Sequence, residues 1–165
     1  MPSLLILRFA LLAALAAPLA GCPAPAEALP EDQAQGDPAD AVPLPDDLVE
    51  ARARWAEAGP DDYTMTLRRS CFCPVPDYTG PFAVTVTDGE LASVMLEGAA
   101  VDPERGMTVG ALFDLVAEAY ARGAVRVDVA YDPVYGHPTR IAIDYDERIA
   151  DEETGYTVTD LQPAR

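Results

Sequence analysis

The stretch Phe82-Ala83-Val84-Thr85-Val86-Thr87-Asp88-Gly89-Glu90-Leu91-Ala92-Ser93-Val94-Met95 decides the fold. Phe82, Val84 and Val86 alternate with Ala83, Thr85 and Thr87, which is the period of a strand with one buried face. Asp88-Gly89 then offers a two-residue turn, because both positions tolerate the positive φ that tight hairpins require. Closing the chain there sets Val86 opposite Leu91, Val84 opposite Ser93 and Phe82 opposite Met95, which gathers the larger apolar groups on one face. The core is therefore expected to rest on one side of an antiparallel sheet.

The flanking sequence extends this sheet and supplies its cover. Upstream, Asp46 or Asp47 is placed to cap a helix, Leu48, Arg52 and Trp55 recur at helical spacing, and Gly59-Pro60 stops it. Tyr63, Met65, Leu67 and Arg69 then alternate with Thr64, Thr66 and Arg68 as a strand. Downstream, Thr108 caps a second helix with a stripe of Leu112, Leu115, Val116 and Ala119, closed by Arg122 and Gly123. Val125, Val127, Val129 and Tyr131 mark the next strand, and Ile141, Ile143 and Tyr145 the one after. A short last strand is expected near Tyr156 to Leu161. The order predicts an α+β fold with two αβββ halves, an antiparallel sheet and helices on one face. Its pattern resembles small periplasmic binding or inhibitory modules of the PepSY and β-lactamase-inhibitor type, a likeness of fold and not of function.

Composition narrows the partners. The chain has 165 residues with 28 acids against 11 bases, a formal charge of -17. Such a surface approaches neither a nucleic acid backbone nor an anionic membrane surface favourably. Every base is arginine, so Schiff-base chemistry and a P-loop lysine are excluded.

The N-terminus addresses the protein to a membrane. Residues 1–21 read as a leader, with Arg8 ahead of an apolar run from Phe9 to Ala20 that is too short to span a bilayer. Leu19-Ala20-Gly21-Cys22 resembles the lipobox of bacterial lipoprotein signal peptides, which implies that Cys22 becomes the lipidated first residue. More than one acyl chain gives stable anchoring. Pro23 stands where lipoproteins kept in the inner membrane commonly carry Asp, which points to the outer membrane in a two-membrane bacterium. Residues 22–45 hold six prolines, no aromatic residue and no base, the composition of an extended tether. Residues 46–165 form the single folded domain.

Cys71-Phe72-Cys73-Pro74 is the most unusual stretch. In an exported protein two thiols are expected to be oxidised, and with Cys22 lipidated Cys71 and Cys73 form the only possible intrachain pair. Continued in extended form, their Cβ atoms would sit about 6.5 Å apart. A disulfide needs about 3.8 Å, so the chain has to bend and the small ring would be strained. Three readings stay open: a structural clip, thiol–disulfide exchange assisted by Arg68 and Arg69, and a metal site short of ligands. Pro74, Pro76 and Tyr78 fall in the loop after the first strand. Tyr131, Asp132, Tyr135, Gly136 and His137 fall in the matching loop of the second half, and both loops are candidate interaction surfaces. His137 reads as an exposed or stacked side chain. The acids Asp144, Asp146, Glu147, Asp151, Glu152 and Glu153 could bind calcium but lack the EF-hand pattern. No nucleophile motif is present, so the reading names no catalytic residue, no metal centre and no cofactor.

Trp55, Asp62-Tyr63-Thr64, Cys71-Phe72-Cys73-Pro74, Asp88-Gly89, Leu112-Phe113, Tyr131-Asp132-Pro133, Gly136, Pro138-Thr139 and Asp144-Tyr145 together resemble an uncharacterised family of bacterial envelope lipoproteins, known only as a domain of unknown function. The resemblance covers most of residues 50–160 and implies an exported domain with a characteristic cysteine pair. In that family an aromatic residue is usual where His137 stands. The expected role is a lipid-anchored binding or interaction module of the cell envelope with an envelope protein as partner. The alternatives are a thiol–disulfide protein using Cys71 and Cys73, and a calcium-binding protein.

Overall fold

A computed structural model of the chain describes residues 42–72, 78–149 and 151–164. The leader, Cys22, most of the tether, and Cys73, Pro74 and Pro76 lie outside the described residues. Helix α1 (Asp46–Ala58) begins after Pro45, which holds the N-cap position without a capping side chain. Asp46 and Asp47, expected as caps, lie one step later inside the first turn, where carboxylates meet the positive end of the helix dipole. Leu48 and Ala51 are buried. Arg52 shares their spacing but reaches outward, its guanidinium 3.0 Å from Asp114 and 5.6 Å from the centre of the Phe113 ring on the second helix.

Strand β1 (Tyr63–Cys71) shows the predicted alternation, with Tyr63, Met65 and Leu67 buried. Strands β2 (Phe82–Thr87) and β3 (Glu90–Leu96) form the hairpin. Asp88 and Gly89 take φ of 51° and 75°, the mirror-image turn whose twist suits paired strands. Thr87 faces Glu90 and Val86 faces Leu91, but beyond them a bulge at Ala92 advances the register, so Val84 faces Val94 and Phe82 faces Leu96. The expected pairs with Ser93 and Met95 are corrected by this single extra residue. Without it Ser93 and Met95 would point into the core; with it Val94 is 2% exposed and Met95 is 37% exposed. A second turn of the same kind at Glu97-Gly98 leads into β4 (Ala99–Ala100), a two-residue strand the periodicity did not reveal.

A one-turn 3₁₀ helix (Pro103–Arg105) leads to α2 (Val109–Ala121). Its start is the predicted one, with Thr108 Oγ1 accepting from the Ala111 N–H at 3.1 Å. Its end is too, with Gly123 at φ 72° after Arg122. The stripe is wider than expected, since Val109 and Phe113 are also buried. Strands β5 (Arg126–Tyr131), β6 (Pro138–Asp144) and β7 (Thr154–Pro163) complete the chain. Val125 and Tyr145, expected within β5 and β6, lie just outside them, and Val125 is exposed.

The seven strands make one sheet in the order β4-β3-β2-β1-β7-β6-β5, with every pairing antiparallel. The inward residues of the strands join Leu48 and Ala51 of α1 and Val109, Leu112, Phe113, Val116 and Ala119 of α2 in one core. The fold is α+β with both helices on one face, and the opposite face is left open. The two αβββ runs are not structural repeats. In the first run the opening strand β1 is central and later strands step outward, whereas in the second the opening strand β5 is the edge and the chain steps inward. Strand β7, expected as a short closing piece, spans 10 residues and pairs with β1 along its length. Among the described residues no helix is long and apolar enough to cross a membrane.

Candidate functional site

The open face carries a groove at the end of the sheet where β1 stops and β7 starts. Register places Ser70 opposite Gly155, Gly155 opposite Ala142 and Ala142 opposite Asp128. These residues alternate with the inward Ile141, Ile143 and Tyr156, so they point away from the helices. The small groups of Ser70, Gly155 and Ala142 form a low floor across three strands, and the groove above it has a volume of about 470 Å³. Gly155 has to stay small: a Cβ there would lie 3.1 Å from the Ile141 carbonyl oxygen and 3.5 Å from Ser70 Cβ.

The walls differ in charge. Arg140 lines one side of the floor, and register sets Thr157 and Arg68 beside it on the neighbouring strands, outside the lining. Neither Arg68 nor Arg140 has an ion-pair partner among the described residues. On the other side stand Asp144, Asp151, Glu153 and Arg126. Arg126 Nε lies 2.6 Å from Asp128 Oδ2. That hydrogen bond holds the guanidinium above its ordinary value, with the charges of Asp128, Glu153 and Asp144 adding to it. Phe72 stands at the mouth with 79% of its surface exposed. Cys71 lines the groove and is disulfide-bonded. Cys22 and Cys73, the other two cysteines, lie outside the described residues.

Strands β6 and β7 run between Cys71 and the Asp132 to His137 turn, which sits at the opposite end of the sheet. That turn is a docked structural element. Asp132 Oδ1 accepts from the Val134 and Tyr135 N–H groups at 2.9 and 2.6 Å. Gly136, at φ 82°, approaches α1 so closely that a Cβ would collide with the Ala51 carbonyl oxygen. Tyr131 stacks on Phe113 at 6.3 Å, and burial drives its hydroxyl pKa far upward.

Of the two readings of His137, exposed or stacked, the structure shows the stacked one: it is 6% exposed, edge-on to Trp55 at 6.0 Å. The turn composition signalled exposure, but Trp55 of α1 covers the ring. Its Nδ1 lies 3.9 Å from Asp132 Oδ1 and makes no hydrogen bond. Burial lowers its pKa, and Asp132 only partly opposes this.

Arg69 lies on the helix-covered face, its guanidinium 4.3 Å from the centre of the Tyr78 ring and 5.2 Å from that of Tyr156. Tyr78 is partly buried, and its ring centre also lies 5.9 Å from the Arg105 guanidinium. In the acidic loop, Asp144 accepts from the Asp146 N–H, and Asp146 binds the Arg148 guanidinium at 2.7 and 2.9 Å. The Arg148 hydrogen bond holds Asp146 below the usual carboxylate range. Among the described residues no three His, Cys, Asp or Glu side chains converge as ligands for a metal ion. Sequence reasoning missed Ser70, Arg126, Arg140, Ala142 and Gly155. Strand alternation places each on an outward face, but only the pairing of β1 with β7 brings them together.

The model of a family of unknown function, DUF6174, matches residues 47–163, from the first turn of α1 to the last residue of β7. No curated protein and no solved structure matches the chain.

Proposed function

The chain belongs to the DUF6174 family, and we propose that it acts as a lipid-anchored binding module of the bacterial cell envelope. The observation that carries this reading is the uncovered sheet face with its groove of about 470 Å³, within the size range of ligand sites. The groove lining holds arginines, carboxylates, hydroxyls and a disulfide but no histidine, a composition that favours binding over turnover. In this reading Cys22 carries the acyl chains, residues 22–45 hold the domain off the bilayer, and the groove is presented to an envelope protein. Pro23 supports sorting to the outer membrane.

The test combines fatty-acid labelling of the chain with photo-crosslinking in cells. The wild-type chain is expected to incorporate a clickable fatty acid and Cys22→Ala to lose it. A crosslinker at Phe72, on the groove, is expected to capture a partner that one at Glu57, on the exposed side of α1, does not. Absence of label on the wild-type chain, or equal capture from both positions, refutes the reading.

A second reading is thiol–disulfide exchange through Cys71 and Cys73. It is favoured by the disulfide-bonded Cys71 lying at the groove beside an exposed Phe72. A reduction potential below about -300 mV would mark a structural bond and remove it. Calcium binding by the acidic loop has less support, because Asp144 and Asp146 are engaged locally.

A further inference from the structure

The groove has a polarity that names a ligand class. Peptide groups of a sheet point sideways into neighbouring strands, so recognition on the open face falls to side chains. One wall offers Arg140, with Arg68 near it by register but outside the lining, and neither has an ion-pair partner among the described residues of a chain of net charge -17. The other offers Asp144, Asp151 and Glu153 around Arg126, whose own charge is taken up by Asp128. Between them the floor of Ser70, Gly155 and Ala142 bears no charge. The groove is therefore cationic along one side, anionic along the other and neutral in the middle.

The spacing sets the length of a matching ligand. Arg140 and Asp144 are four residues apart on β6, about 13 Å along an extended strand. A carboxylate and an ammonium bound between these two side chains lie closer together than that. A single amino acid, with its two charges on neighbouring atoms, cannot touch both walls. An extended tripeptide, with charged ends roughly 7 to 10 Å apart, can. Phe72 at the mouth adds an exposed ring for an apolar side chain.

We infer that the groove binds a short zwitterionic peptide of two to four residues, its terminal carboxylate toward Arg140 and its terminal ammonium toward Asp144 and Glu153. This rests on the binding-module reading and names the ligand of that same face. Charged ends held in a groove open to water give an affinity that weakens with salt. Specificity then comes from the distance between the ends more than from side-chain identity.

The test is calorimetric titration of the detergent-solubilised full chain with tri-alanine, its N-acetyl form and its C-terminal amide. Tri-alanine is expected to bind, and blocking either end is expected to weaken binding at least tenfold. In Arg140→Gln the free acid and the amide are expected to bind equally, while the preference for a free amine persists. Ala142→Phe, which fills the groove from an outward position without touching the core, is expected to abolish binding of all three.

Binding indifferent to both blocking groups would overturn the inference, as would no binding of any peptide in the millimolar range. So would preference for inorganic phosphate, which would mark a plain anion site at the arginines. Capture of a protein through Phe72 alongside a flat peptide titration would remove the ligand class and leave the binding-module reading standing.

Discussion

Replacing Tyr63 with Phe isolates one tie between the sheet and the second helix. Tyr63 is 2% exposed, and its hydroxyl oxygen accepts from the Val109 N–H at 2.8 Å. Val109 is the first residue of α2, so its N–H belongs to the turn that has no partner within the helix. Thr108 Oγ1 serves the Ala111 N–H, not this one. Removing the hydroxyl leaves a buried donor unsatisfied, at a cost of about 1 to 3 kcal/mol. The ring and its edge contact with Trp55 at 5.5 Å remain, so no cavity term is added. For a domain of this size, that corresponds to a fall in melting temperature of roughly 4 to 12 °C.

Urea unfolding followed by circular dichroism measures the change, with the m-value unaltered. Thr108→Ala is expected to cost about 1 kcal/mol, and the double variant less than the sum, because both groups hold the same helix start. A loss below about 0.5 kcal/mol in Tyr63→Phe, the range of neutral surface changes, would refute the reasoning and place water at the Val109 N–H.

Three other outcomes follow from the packing. Gly136→Ala is expected to destabilise by at least about 2 kcal/mol, through the left-handed backbone and the collision with α1; wild-type stability in urea would show that the turn is not docked. His137 binds its proton less readily folded than unfolded. The unfolded chain therefore takes up more protons in that window, and the stability His137 contributes is full above about pH 6.5 and lost as pH falls through the folded value. His137→Phe keeps the stacking and is expected to flatten the decline in melting temperature between pH 7 and 5; an unchanged slope would refute this. Val94→Ala is expected to cost about 2 kcal/mol and Met95→Ala less than about 0.5 kcal/mol, and the reverse order in urea would restore the register without the bulge.

What could be read from residue order was local. Asp88-Gly89 and Gly123 announced their turns because positive φ restricts the choice of residue, and Thr108 announced its cap because its hydroxyl serves a nearby N–H. The bulge at Ala92 left no such mark, since one extra residue changes which alternate set faces inward without changing composition. Pro45 displaced the expected caps because its fixed φ already suits a helix entry. The choice between exposed and stacked for His137 stayed open because turn residues signal exposure, whereas its burial depends on Trp55, some eighty positions away. The groove was illegible for a similar reason: Ser70, Ala142 and Gly155 are unremarkable singly and become a floor only through the adjacency of β1, β7 and β6.

The central seat of β7 also imposes an order in time. The strands from β1 to β4 can pair as they appear, and so can β5 with β6, but the two groups share no ladder until β7 lies between them. Sheet closure therefore awaits a segment synthesised after the six other strands, and it joins residues such as Cys71 and Thr154 across some eighty positions of chain. Pairing at such separations folds slowly. A chain cut before Thr154 would hold two partial sheets with exposed inner edges, open to unfoldases and proteases, and only a chain that includes β7 would acquire the continuous groove.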